Sequence, residues 1–471
     1  MFIKQLYTGC LSEAAYYIES EGEAAIIDPL RDIDAYLQLA NERKARIKYI
    51  FETHFHADFV SGHLDLAAAT GAPIVYGPNT DTKFAVHVAK DAETFKIGGL
   101  TVEVMHTPGH TLESTCYLLK DENGKDYCVF SGDTLFVGDV GRPDLAQKAE
   151  EITMNDLAGM MYDSLHSKLF PLADDVLVYP AHGAGSACGK NLGPSNFSTI
   201  GDEKKFNYAM KAATKEEFIR QVTDGIPPPP QYFPINAKIN KEGYESLDEV
   251  LAKGMTALSV EEFIKALEQD EDTIILDTRK ETVFTQGFVP GSISIGLEGR
   301  FAEWAGSLLS FNVPILLVTE PGKEKETITR LARVGFDKVI GYLDGSYEAW
   351  KKAGEKVDMI VDVEADELMM DIPHDKNLVV LDVRRPTEYA DGHLRDAVNI
   401  SLNDMNDPGS MTNLEDDQNL YVHCAGGYRS VIAASLLKKQ GIHNLRNVLG
   451  GWNKIKEQEK AEIVKETSVL N

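Results

Sequence analysis

The chain has 471 residues and carries 47 Lys and Arg against 74 Asp and Glu, a formal charge of −27. That acidity excludes phosphate-driven binding to nucleic acid and attraction to an anionic membrane surface. Hydrophobic residues make up 43% and charged residues 26% of the chain, a globular composition with room for about two to four domains. No apolar run approaches the ~20 residues of a membrane-spanning helix, and Met1–Glu13 has no secretory pattern. Five scattered cysteines, Cys10, Cys116, Cys128, Cys188 and Cys424, do not form a disulfide framework. A reducing cytoplasm is the expected location.

In chain order, the first part alternates β-like runs with helical stretches. Ala24–Ile27 ends at the turn signal Asp28-Pro29, and Ile33–Arg43 reads as a helix. Ile47–Glu52 reads as a buried strand followed by the loop Thr53–Gly62, then a helix over Leu64–Thr70 and a strand over Pro73–Tyr76. Thr101–His106, Cys128–Ser131 and Val176–Tyr179 are further strands, each ending in a Gly- or Pro-containing loop. The polar residues His54, His56, Asp58, His110, Asp133 and His182 all fall just past these strands, where an α/β scaffold presents reactive groups. Pro227–Pro230 marks an extended linker, because proline fixes φ and lacks an N–H.

Beyond it lies an internal duplication. Ile274–Ile295 aligns with Val379–Ile400 at an offset of 105, matching Asp277 with Asp382, Arg279 with Arg384 and Gly287 with Gly392. That period is a whole domain rather than a solenoid repeat. Each copy alternates strand and helix, which implies a parallel sheet. The expected division is 1–235, 240–357 and 358–471.

Two chemical constellations stand out. Histidine and carboxylate at strand ends suit a first-row transition metal. The set Thr53-His54-Phe55-His56-Ala57-Asp58-Phe59, His110, Asp133 and His182 resembles the metallo-β-lactamase superfamily over about the first 225 residues. That resemblance implies an αββα sandwich with the metal site at one edge. The superfamily pattern H-x-H-x-D-H has lost its last histidine here, to Phe59. The full set that remains, His54, His110 and Asp133, is the two-imidazole, one-carboxylate triad of non-haem Fe(II) oxygenases. Gly132–Phe136 and Gly141–Leu145 are similar to the persulfide dioxygenase branch. By that resemblance one Fe(2+) per chain binds His54, His110 and Asp133, while His56, Asp58 and His182 orient ligands or substrate from outside the coordination sphere. The same resemblance places Arg142 near the thiol carrier, where its fork suits a carboxylate or phosphate; a structural ion pair is the alternative. Cys188, six positions past His182, is either a second sulfur-handling thiol or inert packing.

The second constellation is Cys424-Ala425-Gly426-Gly427-Tyr428-Arg429-Ser430, between a short apolar strand and a helix. A thiol at a helix N-terminus among converging N–H groups is expected to be activated. The C-x4-R spacing fits a single sulfur atom, whereas phosphatase loops are one residue longer. With Leu381–Arg384, Glu388-Tyr389, Gly392-His393 and Gly450-Gly451-Trp452, it resembles the rhodanese family. In the other copy Glu320 stands opposite Cys424 and Lys325 opposite Arg429, and Pro321 removes a loop donor. That copy resembles a non-catalytic rhodanese serving as spacer or interface.

The expectation is an α/β multidomain enzyme. It oxidises a glutathione- or coenzyme A-type persulfide with O2 to sulfite and thiol, and forms thiosulfate from sulfite through a Cys424 persulfide. A homo-oligomer is expected. The alternatives are a glyoxalase II-type thioester hydrolase, using two zinc ions, fused to rhodanese, and a sulfur-relay carrier protein.

Overall fold

The computed structural model describes residues 1–146, 151–412, 414 and 417–466, so the expected domain end at 471 lies outside the described residues. The chain divides into two compact units, the first mainly Met1–Leu247 and the second mainly Asp248–Asn471.

In the first unit two six-stranded sheets face each other. One runs Phe2–Thr8, Glu13–Ser20, Glu23–Ile27, Arg46–Phe51, Ile74–Tyr76 and His87–Val88 in spatial order. The other runs Ser198–Thr199, Leu177–Pro180, Asp126–Gly132, Thr115–Lys120, Leu100–His106 and Thr94–Ile97. The period-2 rule of strands sorts the side chains. Ala14, Tyr16 and Ile18 join Val102, Val104, Tyr117 and Phe130 in the core between the sheets. Ala15 and Tyr17, on the opposite face, pack with Tyr36, Leu39 and Leu66 of the helices Asp34–Arg43 and His63–Thr70. Leu118, Val129 and Val178 back the second sheet against Ala158, Met161, Leu165 and Phe218 of its helices. The layering is αββα, and inner strands such as Glu13–Ser20 and Thr115–Lys120 are buried on both faces, which is why they show little alternation.

The Pro-rich segment does not end the unit. Helix Phe233–Glu242 follows it, with Pro234 in the first turn, where no N–H is needed. This helix and Tyr244 pack on the first unit, which extends to Leu247, so the boundary expected at 235–240 falls inside it.

The second unit holds two five-stranded sheets with one topology. The first has the order Ala257–Leu258, Val339–Leu343, Ile315–Val318, Ile274–Asp277, Ile293–Ser294. The second has the order Val361–Val363, Leu445–Val448, Asn419–His423, Leu378–Asp382, Val398–Asn399. All neighbours in both are parallel. The duplication seen in the sequence is therefore a duplication of fold.

Candidate metal centre and sulfur-transfer loop

Four strand ends of the first unit deliver the metal-type residues to one place. The strand Arg46–Phe51 leads to His54, His56 and Asp58, Leu100–His106 to His110, Asp126–Gly132 to Asp133, and Leu177–Pro180 to His182. Ligand atoms of His54, His110 and Asp133 lie within 4.8 Å of one another, and so do those of His56, Asp58 and His182. Asp133 faces both groups. Its Oδ2 is 3.4 Å from His110 Nε2 and 3.9 Å from His54 Nε2, while its Oδ1 is 3.5 Å from His182 Nε2. His182 Nε2 is also 3.3 Å from Asp58 Oδ2.

The outer nitrogens are tied down. His110 Nδ1 donates to the Arg142 carbonyl at 2.8 Å and His182 Nδ1 to Ser12 O at 3.2 Å. Thr53 Oγ1 donates to Asp28 Oδ2 (2.8 Å) and so accepts from His54 Nδ1 (3.0 Å). Each contact fixes the tautomer that leaves the Nε2 lone pair pointing inward. Those Nε2 atoms, both oxygens of Asp133 and Asp58 Oδ1 are buried without a hydrogen-bond partner. Orphaned buried acceptors converging on one point are costly unless a cation takes them. The residues fit a divalent transition metal.

Glycines make room for this centre. A Cβ on Gly141 would lie 2.0 Å from Asp133 O and 2.9 Å from His110 Nδ1. Gly132, at φ +52°, lets the chain turn against the Thr53 side chain.

In the second unit, strand Asn419–His423 delivers Cys424, which is 2% exposed. Gly427 N–H donates to its Sγ at 3.1 Å, and Ser430 Oγ lies 3.7 Å away. Trp452 N–H donates to Cys424 O (2.6 Å) and Asn453 N–H to Ala425 O (3.0 Å). Gly451, at φ +54°, is required there, since a Cβ would sit 2.3 Å from Cys424 O. Arg429 forms a fork with Glu388 at 2.7 and 2.8 Å. Arg384 bridges Asp382 and the Gly392 carbonyl and stacks over Trp452, with 4.5 Å to the ring centroid. Arg384 therefore reaches the loop through Trp452, whose N–H holds the Cys424 carbonyl.

The comparisons with known proteins follow this division. The family model of the metallo-beta-lactamase superfamily matches residues 8–182, and that of the rhodanese-like domain matches 259–353 and 364–458. A metallo-beta-lactamase structure from Staphylococcus aureus subsp. aureus COL superposes with a TM-score of 0.65 at 32% identity, covering 72% of this chain and 98% of that one. The chain belongs to the metallo-beta-lactamase superfamily. Its second unit adds two rhodanese-like domains. Two curated relatives share the first unit. The hydroxyacylglutathione hydrolase of Francisella tularensis subsp. novicida is 32% identical, over 41% of this chain and 70% of that protein. The human mitochondrial persulfide dioxygenase ETHE1 is 29% identical, over 44% and 74%.

Within the superfamily site, burial sets the electrostatics. It drives the His54 imidazole well below its ordinary range, helped by His56, His110 and His182. It raises the Asp58 carboxyl against the pull of His182. Cys188 is buried too, its sulfur within 4.8 Å of ligand atoms of Asp133 and His182. Burial, reinforced by Asp58 and Asp133, pushes that thiol well up.

Arg142 is corrected. Its guanidinium is spent on Asp144 (2.7 and 2.8 Å), Ala187 O (3.2 Å) and Pro227 O (2.6 Å), leaving no fork for a carrier's carboxylate or phosphate. It is the ion-pair alternative, tying three loops together. Phe59 is fully buried with its ring 4.3 Å from that of His56, an apolar wall where the superfamily pattern has a nitrogen donor.

Two residues with work at the site were missed in the sequence. Asp28, at φ +50°, accepts from Thr53 N (2.7 Å) and Oγ1 and lies 3.1 Å from His56 Nε2. Asp-Pro looked like a turn and nothing more. Asn240 donates to the carbonyls of His56 and Phe59 at 2.8 Å each and accepts from Ser61 N at 2.9 Å. It lies beyond the proline run, and no local pattern marks it.

In the thiol-less copy, Glu320 is exposed on the loop entering helix Glu324–Ala332, and Lys325 is exposed in the first turn of that helix. That loop holds no nucleophile.

Proposed function

We propose that the first unit is a persulfide dioxygenase and that the last domain is a thiosulfate-forming sulfurtransferase. The observation that carries this reading is their pairing on one chain: a buried two-imidazole, one-carboxylate donor set and a thiol cradled by a backbone N–H. His54, His110 and Asp133 would hold one Fe(II), which when bound supplies open coordination positions for a persulfide sulfur and O2. Asp28 and Thr53 orient His54, and the Arg142 carbonyl orients His110. Phe59 walls the pocket beside His56 and keeps water from it. A glutathione- or coenzyme A-type persulfide, O2 and water give the thiol, sulfite and two protons. At the second centre the Cys424 thiolate attacks the outer sulfur of a thiol persulfide; the donor's S–S bond breaks, the carrier leaves as its thiolate, and Cys424 holds the sulfur as a persulfide. The lone pair on the sulfur of sulfite then attacks the outer sulfur, and thiosulfate leaves as the Cys424 thiolate returns. Gly427 N–H is placed to support that thiolate.

A second reading, thioester hydrolysis at two zinc ions, is favoured by the convergence of Asp58 Oδ2 and Asp133 Oδ1 on His182 Nε2 and by the hydrolase relative. The test is O2 uptake by iron-loaded protein across a panel of thiol persulfides, beside hydrolysis of S-lactoylglutathione. Cys424→Ser should leave O2 uptake intact and shift the product from thiosulfate to sulfite. Unchanged thiosulfate would move the second step away from Cys424.

A further inference from the structure

The copy without a thiol grips the copy with one along a single helix. Tyr428–Lys439 begins at the sulfur-transfer loop and runs past the edge strand Ile293–Ser294 of the other copy. At its first residue Tyr428 Oη donates to Gly296 O at 2.8 Å. Two turns on, the Ser294 N–H donates to the buried Ser435 Oγ at 3.0 Å. In the last turn Lys438 Nζ pairs with Asp358 Oδ1 at 2.7 Å, and Asp358 is itself bridged to the other copy by two backbone hydrogen bonds with Phe288.

The first of these contacts bears on the loop. Cys424 and Ala425 are fixed from within their own domain by the N–H groups of Trp452 and Asn453. Gly426 and Gly427 come next, and Gly427, which aims its N–H at Cys424 Sγ, has φ +119° with no atom near enough to touch a Cβ. Glycine at such a position has no steric preference of its own. Within its own domain the Gly427 carbonyl accepts from Ser430 Oγ at 2.8 Å and from the Val431 N–H at 3.3 Å; the tie from outside the domain enters at the residue between them, Tyr428, whose hydroxyl is held by the other copy.

We propose that the rhodanese copy lacking a thiol holds the Cys424 loop in its reactive shape, and that Tyr428 is the positioning residue through which it acts. The proposal rests on the reading of Cys424 as the sulfur carrier. It gives the thiol-less copy a share in the chemistry without any reacting group of its own.

The test uses the full chain, with thiosulfate as donor and cyanide as acceptor. Tyr428→Phe keeps the ring and removes one hydrogen bond, so kcat should fall about tenfold with the KM for thiosulfate within about twofold. O2 uptake with a persulfide should not change. Iodoacetamide labelling of Cys424, read by peptide mass at fixed pH, separates positioning from damage. A mispositioned loop leaves Cys424 buried and less reactive, so labelling slows; a loosened fold exposes a thiol now 2% exposed, so labelling speeds up. Ser435→Ala, farther along the same helix, should act in the same direction and more weakly. Unchanged kcat and labelling in Tyr428→Phe, or faster labelling in both variants, would overturn the proposal. Full activity in Cys424→Ser would instead overturn the reading on which it rests.

Discussion

Asp28 is the residue whose loss should tell most about the metal centre. It never approaches the triad directly, yet it holds the backbone N–H and hydroxyl of Thr53, and that hydroxyl holds His54. Asp28→Ala removes two hydrogen bonds to a charged acceptor and leaves a buried N–H unpaired. Each such loss costs about 1.5–3 kcal/mol, and because the two share one residue they do not add in full, so about 3 kcal/mol is expected. Against a typical domain stability of about 5–15 kcal/mol, that weakens the first unit without unfolding it. His54 is then free to rotate, and loss of such an outer contact lowers metal affinity about 10–100-fold. Competition for Fe(II) against a chelator measures the affinity, and urea denaturation measures the stability. Asp28→Asn, which keeps one acceptor oxygen, should fall between wild type and Asp28→Ala in both. Sulfurtransferase activity at Cys424 should not move. Wild-type Fe(II) affinity in Asp28→Ala, with or without a change in stability, would refute the chain of contacts as the device that orients His54.

His54→Ala, His110→Ala and Asp133→Ala should each abolish iron binding and O2 uptake; two tightly held irons in the wild type, by elemental analysis, would contradict a single triad. Glu320→Cys should not confer sulfurtransferase activity on a chain already carrying Cys424→Ser, because Pro321 and Lys325 leave that loop without the donor and the arginine; measurable turnover in the double variant would refute this. Burial lifts the Glu388 carboxyl, but the Arg429 fork and the Arg385 N–H outweigh it and hold the pKa below the usual 4.5. The pair therefore supports the fold above about pH 4.5, and that support is lost as pH falls through the depressed value. Glu388→Gln should flatten the acid limb of the unfolding curve monitored on the second unit.

What could be read in the sequence was local. His54, His110 and Asp133 each follow an apolar run, and Cys424 sits between a strand and a helix start, so periodicity and spacing were enough to find them. The duplication was equally legible, because Asp277 and Asp382 lie in alignable segments. Asn240 was out of reach: its three hydrogen bonds span more than 170 positions, and a proline run argued for a boundary before it. Arg142 failed differently. An Arg beside a metal loop has two ordinary uses, and only the carbonyls of Ala187 and Pro227, distant in sequence, decide between them. The strand Glu13–Ser20 gives no alternating pattern because tertiary burial on both faces erases it.

The duplicated Asp-x-Arg pair has a wider meaning. In one copy Arg279 bridges Asp277 and the Gly287 carbonyl at 2.9 Å; in the other Arg384 bridges Asp382 and Gly392 at 2.8 Å. One copy kept its reactive group and one did not, yet both retain this brace in near-identical form. The chain thus contains its own control, a sister domain without the loop thiol and still obliged to fold. What the two share is the candidate for architecture, and what only the last domain has, such as Cys424, Arg429 and the paired glycines, is the candidate for reactivity. A mutational scan run on both domains of this single molecule could separate those obligations position by position, with no second protein needed for reference.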